Sequence, residues 1–295
     1  MELFSNLKTI LYEFVCEHRI NKTRKKIKVA SLEETIEKIK NENCSISRFG
    51  DGEVYIMDGN SIGFQEYDKE LANRLKEVIA SDSHNHLVCI SNAVNPKNYC
   101  EYTIKHREWL KKNFKITATA RLKYLRNDKK YYNAMISRFW IPFKDKERAK
   151  RVAEELKKIW QDRNVIVVEG EKTRMGVGND LLKKAKSVKR ILCPAESAFA
   201  KYDETLNACL EMPKDSLFLI ALGPTASVLA YDLYKSGYQA LDIGHIDLEY
   251  EWMKMGVTEQ VNLPNKYVNE LSGGRNTVDI ADEVYLSEII YNLNS

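Results

Sequence analysis

The sequence predicts an α/β protein, a Rossmann-like doubly wound and mostly parallel sheet with helices on both faces. The first observation behind this is a run of short apolar segments at 164–168, 190–193, 217–222 and 240–243. Strands without polar alternation are those covered on both sides, as in parallel sheets. The second is that helical stretches separate them, at 145–161, 178–185, 198–210 and 225–235, so each connection is a right-handed crossover. The third is length. A chain of 295 residues without a low-complexity linker can bury one large core, so the earlier strands are expected in the same sheet.

In chain order, Leu3, Phe4, Leu7, Ile10, Leu11, Phe14 and Val15 form a helical stripe, predicting an N-terminal amphipathic helix followed by a basic connector to residue 30. Such a helix suits an anionic membrane surface or a homo-oligomer contact, and equally a terminal helix packed on its own domain. Ser31 with Glu34 reads as a capping box opening a helix to about residue 43. A strand at 44–46 delivers the turn 47–53, which would return through a second strand at 54–57 if it is a hairpin. Further on are a helix at 67–81, a strand at 87–91 and a helix at 102–114. A short segment at 116–120, a basic irregular stretch at 121–130 and a strand at 134–140 follow. A last helix is expected near 282–293. The plan is a connector at 1–30, a domain at 31–256 and a tail at 257–295 packed on the same domain.

Composition narrows the function. The net charge of +4 is mild, and no zinc-finger, basic-zipper or aromatic RNA-binding signature occurs, so no nucleic acid partner is expected. Six scattered cysteines without a Cys-x-x-Cys pair fit reduced thiols better than disulfides or zinc. No bilayer-length apolar run and no signal peptide is read, so the expected location is cytoplasmic, with peripheral contact at the inner membrane face through the first helix.

Ligands of open α/β sheets bind beyond the carboxyl ends of the strands, and four such loops carry chemistry. In Ser47-Arg48-Phe49-Gly50-Asp51-Gly52-Glu53, extended backbone would aim Asp51 and Glu53 at one Mn²⁺ or Mg²⁺. A plain Asp-Gly hairpin explains the turn as well. The loop 169–180 offers Lys172, Thr173, Arg174 and Gly176 before a helix start, a pattern for phosphate; its bland reading is a solvated loop. Gly223, Pro224, Thr225 and Ala226 form either a ligand-approached helix start or an ordinary one. His245 and Asp247, with Glu249 if the chain stays extended, offer a base or a metal ligand, although a lone histidine is more often structural. Residues 194–199 form a further loop that can meet a base or ribose or act only as a helix cap. Arg138, near the end of its expected strand, can meet an acidic substrate.

These blocks together, over about residues 40–256, resemble the GT-D type bacterial glycosyltransferases with their Asp-x-Glu motif. The resemblance implies transfer of a sugar, glucose, from a UDP-sugar donor to a glycan acceptor on a protein or lipid carrier. The setting it implies is bacterial surface protein or polysaccharide glycosylation. By this match Asp51 and Glu53 are the metal-linked pair, with Arg48, Gly50 and Gly52 beside the donor. The same carboxylates would also serve a metal-dependent phosphohydrolase or phosphotransferase, and the whole site a non-catalytic nucleotide-sugar-binding protein.

Overall fold

Nine parallel strands stand in the order β1-β4-β3-β2-β8-β7-β5-β6-β9 in the computed structural model, which describes residues 18–294. The amphipathic stripe at 3–15 lies outside the described residues. The strands are β1 (Lys28–Val29), β2 (Ser45–Phe49), β3 (His86–Ile90), β4 (Lys130–Asn133), β5 (Asn164–Gly170), β6 (Ser187–Cys193), β7 (Leu217–Ala221), β8 (Gln239–Asp242) and β9 (Ile289–Asn292). The central strands are buried end to end: β3 and β7 have no exposed residue. Their helices are α1 (Leu32–Glu42), α2 (Asp51–Met57), α3 (Lys69–Ala80), α4 (Ile104–Lys123), α5 (Lys146–Lys157), α6 (Tyr202–Leu210), α7 (Pro224–Lys235), α8 (Ile246–Met255) and α9 (Glu283–Glu288). The Rossmann-like doubly wound reading therefore holds. Right-handed crossovers put α3 and α6, each touching α7, on one face with it, and α1 with α5 on the other.

Capping chemistry behaved as read at α1, where the Ser31 hydroxyl accepts the Glu34 N–H at 3.0 Å. Elsewhere other hydrogen bonds, some local and some distant, overrode the apolar pattern. Residues 54–57 are helix, not strand. Glu53 reaches back to the Gly50 N–H at 2.7 Å and closes the first turn of α2, which buries Val54, Ile56 and Met57. Residues 116–123 continue one helix from Ile104. The strand expected at 134–140 is a 3-10 turn after β4: the Asn133 side chain caps the Met135 N–H at 3.0 Å. The Trp140 and Ile141 N–H groups go to the Glu249 carboxylate at 2.7 and 2.8 Å, so no neighbouring strand can pair there.

No helix forms at 178–185. Arg174, Gly176 and Gly178 have positive φ, and Asp162 N–H and Trp160 Nε1–H bond the Lys184 and Leu181 carbonyls. At the sheet edges, the connector residues 28–29 pair with β4, and half of the expected last helix is β9, pairing with β6.

Trp160 is fully buried and its indole holds the 171–186 connection at 2.8 Å. Trp160→Ala should destabilise the fold by roughly 3–5 kcal/mol, read as a lowered denaturation midpoint; a change under about 1 kcal/mol would mean the connection is held otherwise.

Candidate active site

The carboxyl ends of β2, β5, β6, β7 and β8 open into one cavity of about 960 Å³. The chain runs from β5 to β6 in one direction and from β7 to β8 in the other, so the crevice between β5 and β7 is a topological switch point. Gly170 and Thr173 line it on one side, Leu222 and Gly223 on the other. Gly223 has φ +55, and a Cβ there would lie 2.5 Å from the Phe64 ring, so glycine is required by both backbone and space.

Arg48, near the end of β2, faces the cavity but is held from behind. Its Nη2 and Nε donate to Asp242 Oδ1 at 2.7 and 3.1 Å, and its backbone N–H donates to Oδ2 at 3.0 Å. Its Nη1 donates to the Ser137 hydroxyl at 2.5 Å. Both members of this pair are largely buried.

Asp51 and Glu53 occupy the first turn of α2, where residues two apart point about 200° away from each other rather than to one face. Both still line the cavity, beside Gly50 and Gly52. Asp51 is ion-paired with Arg121 and accepts from Asn113 Nδ2 at 3.1 Å; both partners lie on α4. One Glu53 oxygen takes the Gly50 N–H, and the other has no partner among the described residues. Burial, and next the Asp242 charge, push the Glu53 carboxyl above the usual range.

The loop 169–180 is divided. Thr173 reaches the cavity wall; Lys172, Arg174 and Gly176 do not. Arg174 turns to the tail, donating to the Asn265 and Val278 carbonyls at 3.0 and 2.7 Å. The Gly176 N–H donates to Asp247 Oδ1 at 2.9 Å. Pro224, Thr225 and Ala226 are buried in the first turn of α7, behind Gly223.

The third group sits at the start of α8. Asp247 is committed to Lys266 at 2.5 Å, to Gly176 and to Asn179. His245 Nε2 lies 2.8 Å from Arg138 Nη2 and 2.5 Å from Glu270 Oε1, and Arg138 pairs with Glu270 at 2.6 Å. Burial and next the Arg138 charge pull the imidazole below the usual histidine range. Burial alone would raise Glu270, but His245 and Arg138 hold it well below the carboxylate range. Glu249 lines the cavity with one oxygen on the Trp140 and Ile141 amides and no partner for the other among the described residues. Burial pushes its carboxyl up to about 7, against the pull of Arg138.

Sequence reasoning did not find Arg121, Asn113 or Glu270. Arg121 and Asn113 share one face of α4 eight residues apart, a spacing legible only once the helix is known to be continuous. Glu270 lies in the weakly patterned tail and gave no local signal.

A family model for the glycosyltransferase GT-D fold matches residues 46–271. The chain belongs to this family. It is 37% identical over 284 residues to Glycosyltransferase GlyD of Streptococcus pneumoniae serotype 4, a match covering 95% of this chain and 34% of that protein. It is also 37% identical over 270 residues to the probable glycosyl transferase Gly of Streptococcus gordonii, covering 91% and 39%. The chain thus spans between a third and two fifths of the length of these curated relatives. Among solved structures, it is similar to one described as a new glycosyltransferase (DUF1792) from Streptococcus sanguinis. There the TM-score is 0.84 at 36% identity, covering 90% of this chain and 99% of that one. A second, in which domain of unknown function 1792 is described as having a distinct glycosyltransferase fold, gives 0.88 at 36% identity over 95% and 99%. The GT-D resemblance read from the motif blocks therefore holds. No helix among the described residues is long and apolar enough to cross a membrane.

Removing one partner of a buried pair strands the other charge. Asp242→Ala should therefore cost roughly 3–5 kcal/mol in urea unfolding, whereas a loss below about 1 kcal/mol would show that Arg48 is satisfied without it.

Proposed function

We propose that the chain transfers a hexose, glucose in the family's pattern, from a UDP-sugar to a glycan acceptor on a surface protein or lipid carrier. The observation that supports this best is the cavity itself: a strand-end crevice at a switch point, with Arg48, Arg121 and Arg138 on its wall beside Asp51 and Glu53. Loss of UDP leaves negative charge on the diphosphate, and fixed cations in a low-dielectric site stabilise it without reorganising. Three arginines thus take the role that sequence reading gave to Lys172 and Arg174. The donor's diphosphate would lie near Gly170, Thr173 and Gly223, where small side chains let it approach the backbone. Its nucleoside would lie toward Pro194, Ala195 and Ser197.

The donor set suits a divalent ion that keeps water and substrate oxygens. Because Asp51 and Glu53 are turned apart on α2, one of them would hold it directly and the other through water, and no cluster of three metal-ligating side chains occurs among the described residues. When bound, Mn²⁺ or Mg²⁺ supplies Lewis-acid stabilisation of the leaving diphosphate. Asp51→Asn keeps an acceptor for Asn113 but strands the buried Arg121 charge, so the expected result is at least ~100-fold slower sugar transfer, the scale of losing one electrostatic stabiliser, together with a lowered melting temperature. Wild-type transfer by Asp51→Asn with Glu53→Gln in chelator-treated buffer would refute the metal role.

For the acceptor's proton, Glu249 is better placed than His245 or Asp247. Asp247 is saturated by Lys266 and two N–H donors, and Nε2 of His245 is engaged by Arg138 and Glu270. Glu249 has a carboxyl near 7 and an oxygen without a partner. As a base it works ionised, so kcat/KM should rise with pH and level off above about 7. Glu249→Gln should lower transfer roughly 10²- to 10⁴-fold; a flat profile from pH 5 to 9 would contradict this.

The same group sets a stability trend. Its folded pKa is raised, so the folded chain holds a proton that the unfolded chain releases between 4.5 and about 7. That contribution, on the order of 3 kcal/mol, is complete below 4.5 and lost as pH rises through 7. Glu249→Gln should flatten this part of the stability curve, and a slope equal to the wild type's would contradict the burial of Glu249.

A further inference from the structure

We infer that Trp109, on the cavity-facing side of α4, is the stacking platform for the terminal sugar ring of the acceptor. The inference rests on the glycosyltransferase reading above and identifies where the second substrate binds.

Of the four tryptophans, Trp140, Trp160 and Trp252 are buried, and each indole N–H donates to a backbone carbonyl at 2.7–3.0 Å. Trp109 is different. It is 49% exposed, lines the cavity, and its indole N–H has no partner among the described residues. Trp109 therefore leaves a large apolar ring surface free on the cavity wall, where a ligand can cover it.

The ring is also rigidly presented. Trp109 stacks on His106 at 5.2 Å and 26°, and His106 packs on Tyr102 at 5.2 Å. Tyr102 stacks on the buried Phe143 at 4.9 Å and 24°. This four-ring ladder runs from the core to the cavity. Burial pulls the His106 imidazole down to about 4, so the ladder carries no charge at neutral pH. One face of the Trp109 ring is therefore used, while the residue stays half open to the cavity.

Position ties this platform to the transfer site. Trp109 is one helical turn before Asn113, which bonds Asp51, so the two side chains share a face about 6 Å apart along the axis. The platform thus stands one turn of α4 from Asn113 and, through it, from Asp51. The chemistry around the ring suits a pyranose. An apolar sugar face stacks on an indole through C–H groups, while its hydroxyls need polar partners. Gln260 and the exposed Lys105–Glu259 pair at 2.7 Å stand on the same stretch of wall. A nucleoside diphosphate would instead seek the cationic, glycine-lined end of the cavity.

The test has two independent readouts. In the first, acrylamide quenching of tryptophan fluorescence is measured with and without methyl glycosides of glucose, galactose, mannose and N-acetylglucosamine, in wild type and Trp109→Phe. Since the other three tryptophans are buried, at least one glycoside should reduce quenching in wild type and leave Trp109→Phe unaffected. In the second, Trp109→Ala should raise the acceptor KM at least tenfold with the donor KM within twofold, and Trp109→Phe should recover most of the loss. Shielding without any sugar transfer would keep the platform and overturn the transferase reading. Transfer with an unchanged acceptor KM in Trp109→Ala, or no shielding by any of the four glycosides, would overturn the platform.

Discussion

The site depends on the seam between β2 and β8, where two halves of the sheet meet. Backbone pairing there is thin, with Ile46 opposite Leu241 as its register. Side chains complete it. The Ser45 hydroxyl accepts the Ala240 N–H at 2.9 Å, Ser47 donates to the Ser227 carbonyl at 2.6 Å, and Ser227 donates to Asp242 at 2.9 Å. At the cavity end Asp242 holds both the backbone and the guanidinium of Arg48. A buried ion pair of this kind contributes little net stability over an apolar pair. What it provides is position: the donor-facing arginine and α2 on one side, His245 and α8 on the other, are set relative to each other by this contact.

The same division of labour runs through the carboxylates. Asp242, Asp247 and Glu169 are spent on structure, each fully engaged by cations or N–H groups. Asp51, Glu53 and Glu249 reach the cavity, and Glu53 and Glu249 each keep an oxygen that no described residue occupies. Groups with different jobs thus lie two residues apart in sequence, as Asp247 and Glu249 do on the first turn of α8. Both line the cavity, but Asp247 is saturated by Lys266, Gly176 and Asn179, whereas Glu249 keeps one oxygen free of any described partner.

The strand–helix alternation from residue 145 onward was legible because parallel strands buried on both faces leave an unbroken apolar run, as in β5 and β7. The blocks at 47–53 and 242–247 were legible as cavity-facing loops because they follow strands, and Arg48, Asp51, Glu53, Gly223 and His245 do line one cavity. What local pattern missed was decided by distant partners. Backbone N–H groups at Trp140 and Ile141 are claimed by Glu249, over a hundred residues away, and this prevents a strand. Arg174 looked like a phosphate ligand, yet tail carbonyls capture it; Arg121 was read into a basic irregular stretch, yet it lies on α4 and is buried against Asp51. In each case the partner was missed, because partners are set by tertiary contact.

The measurement that bears most directly on the central claim is the fate of a labelled donor. UDP-glucose carrying ¹³C in the sugar would be incubated with Mn²⁺ and a glycan acceptor panel, and products followed by mass spectrometry. The account predicts a glycan heavier by one labelled hexose for each UDP released. Labelled free glucose or inorganic phosphate at the same rate with and without acceptor would contradict it.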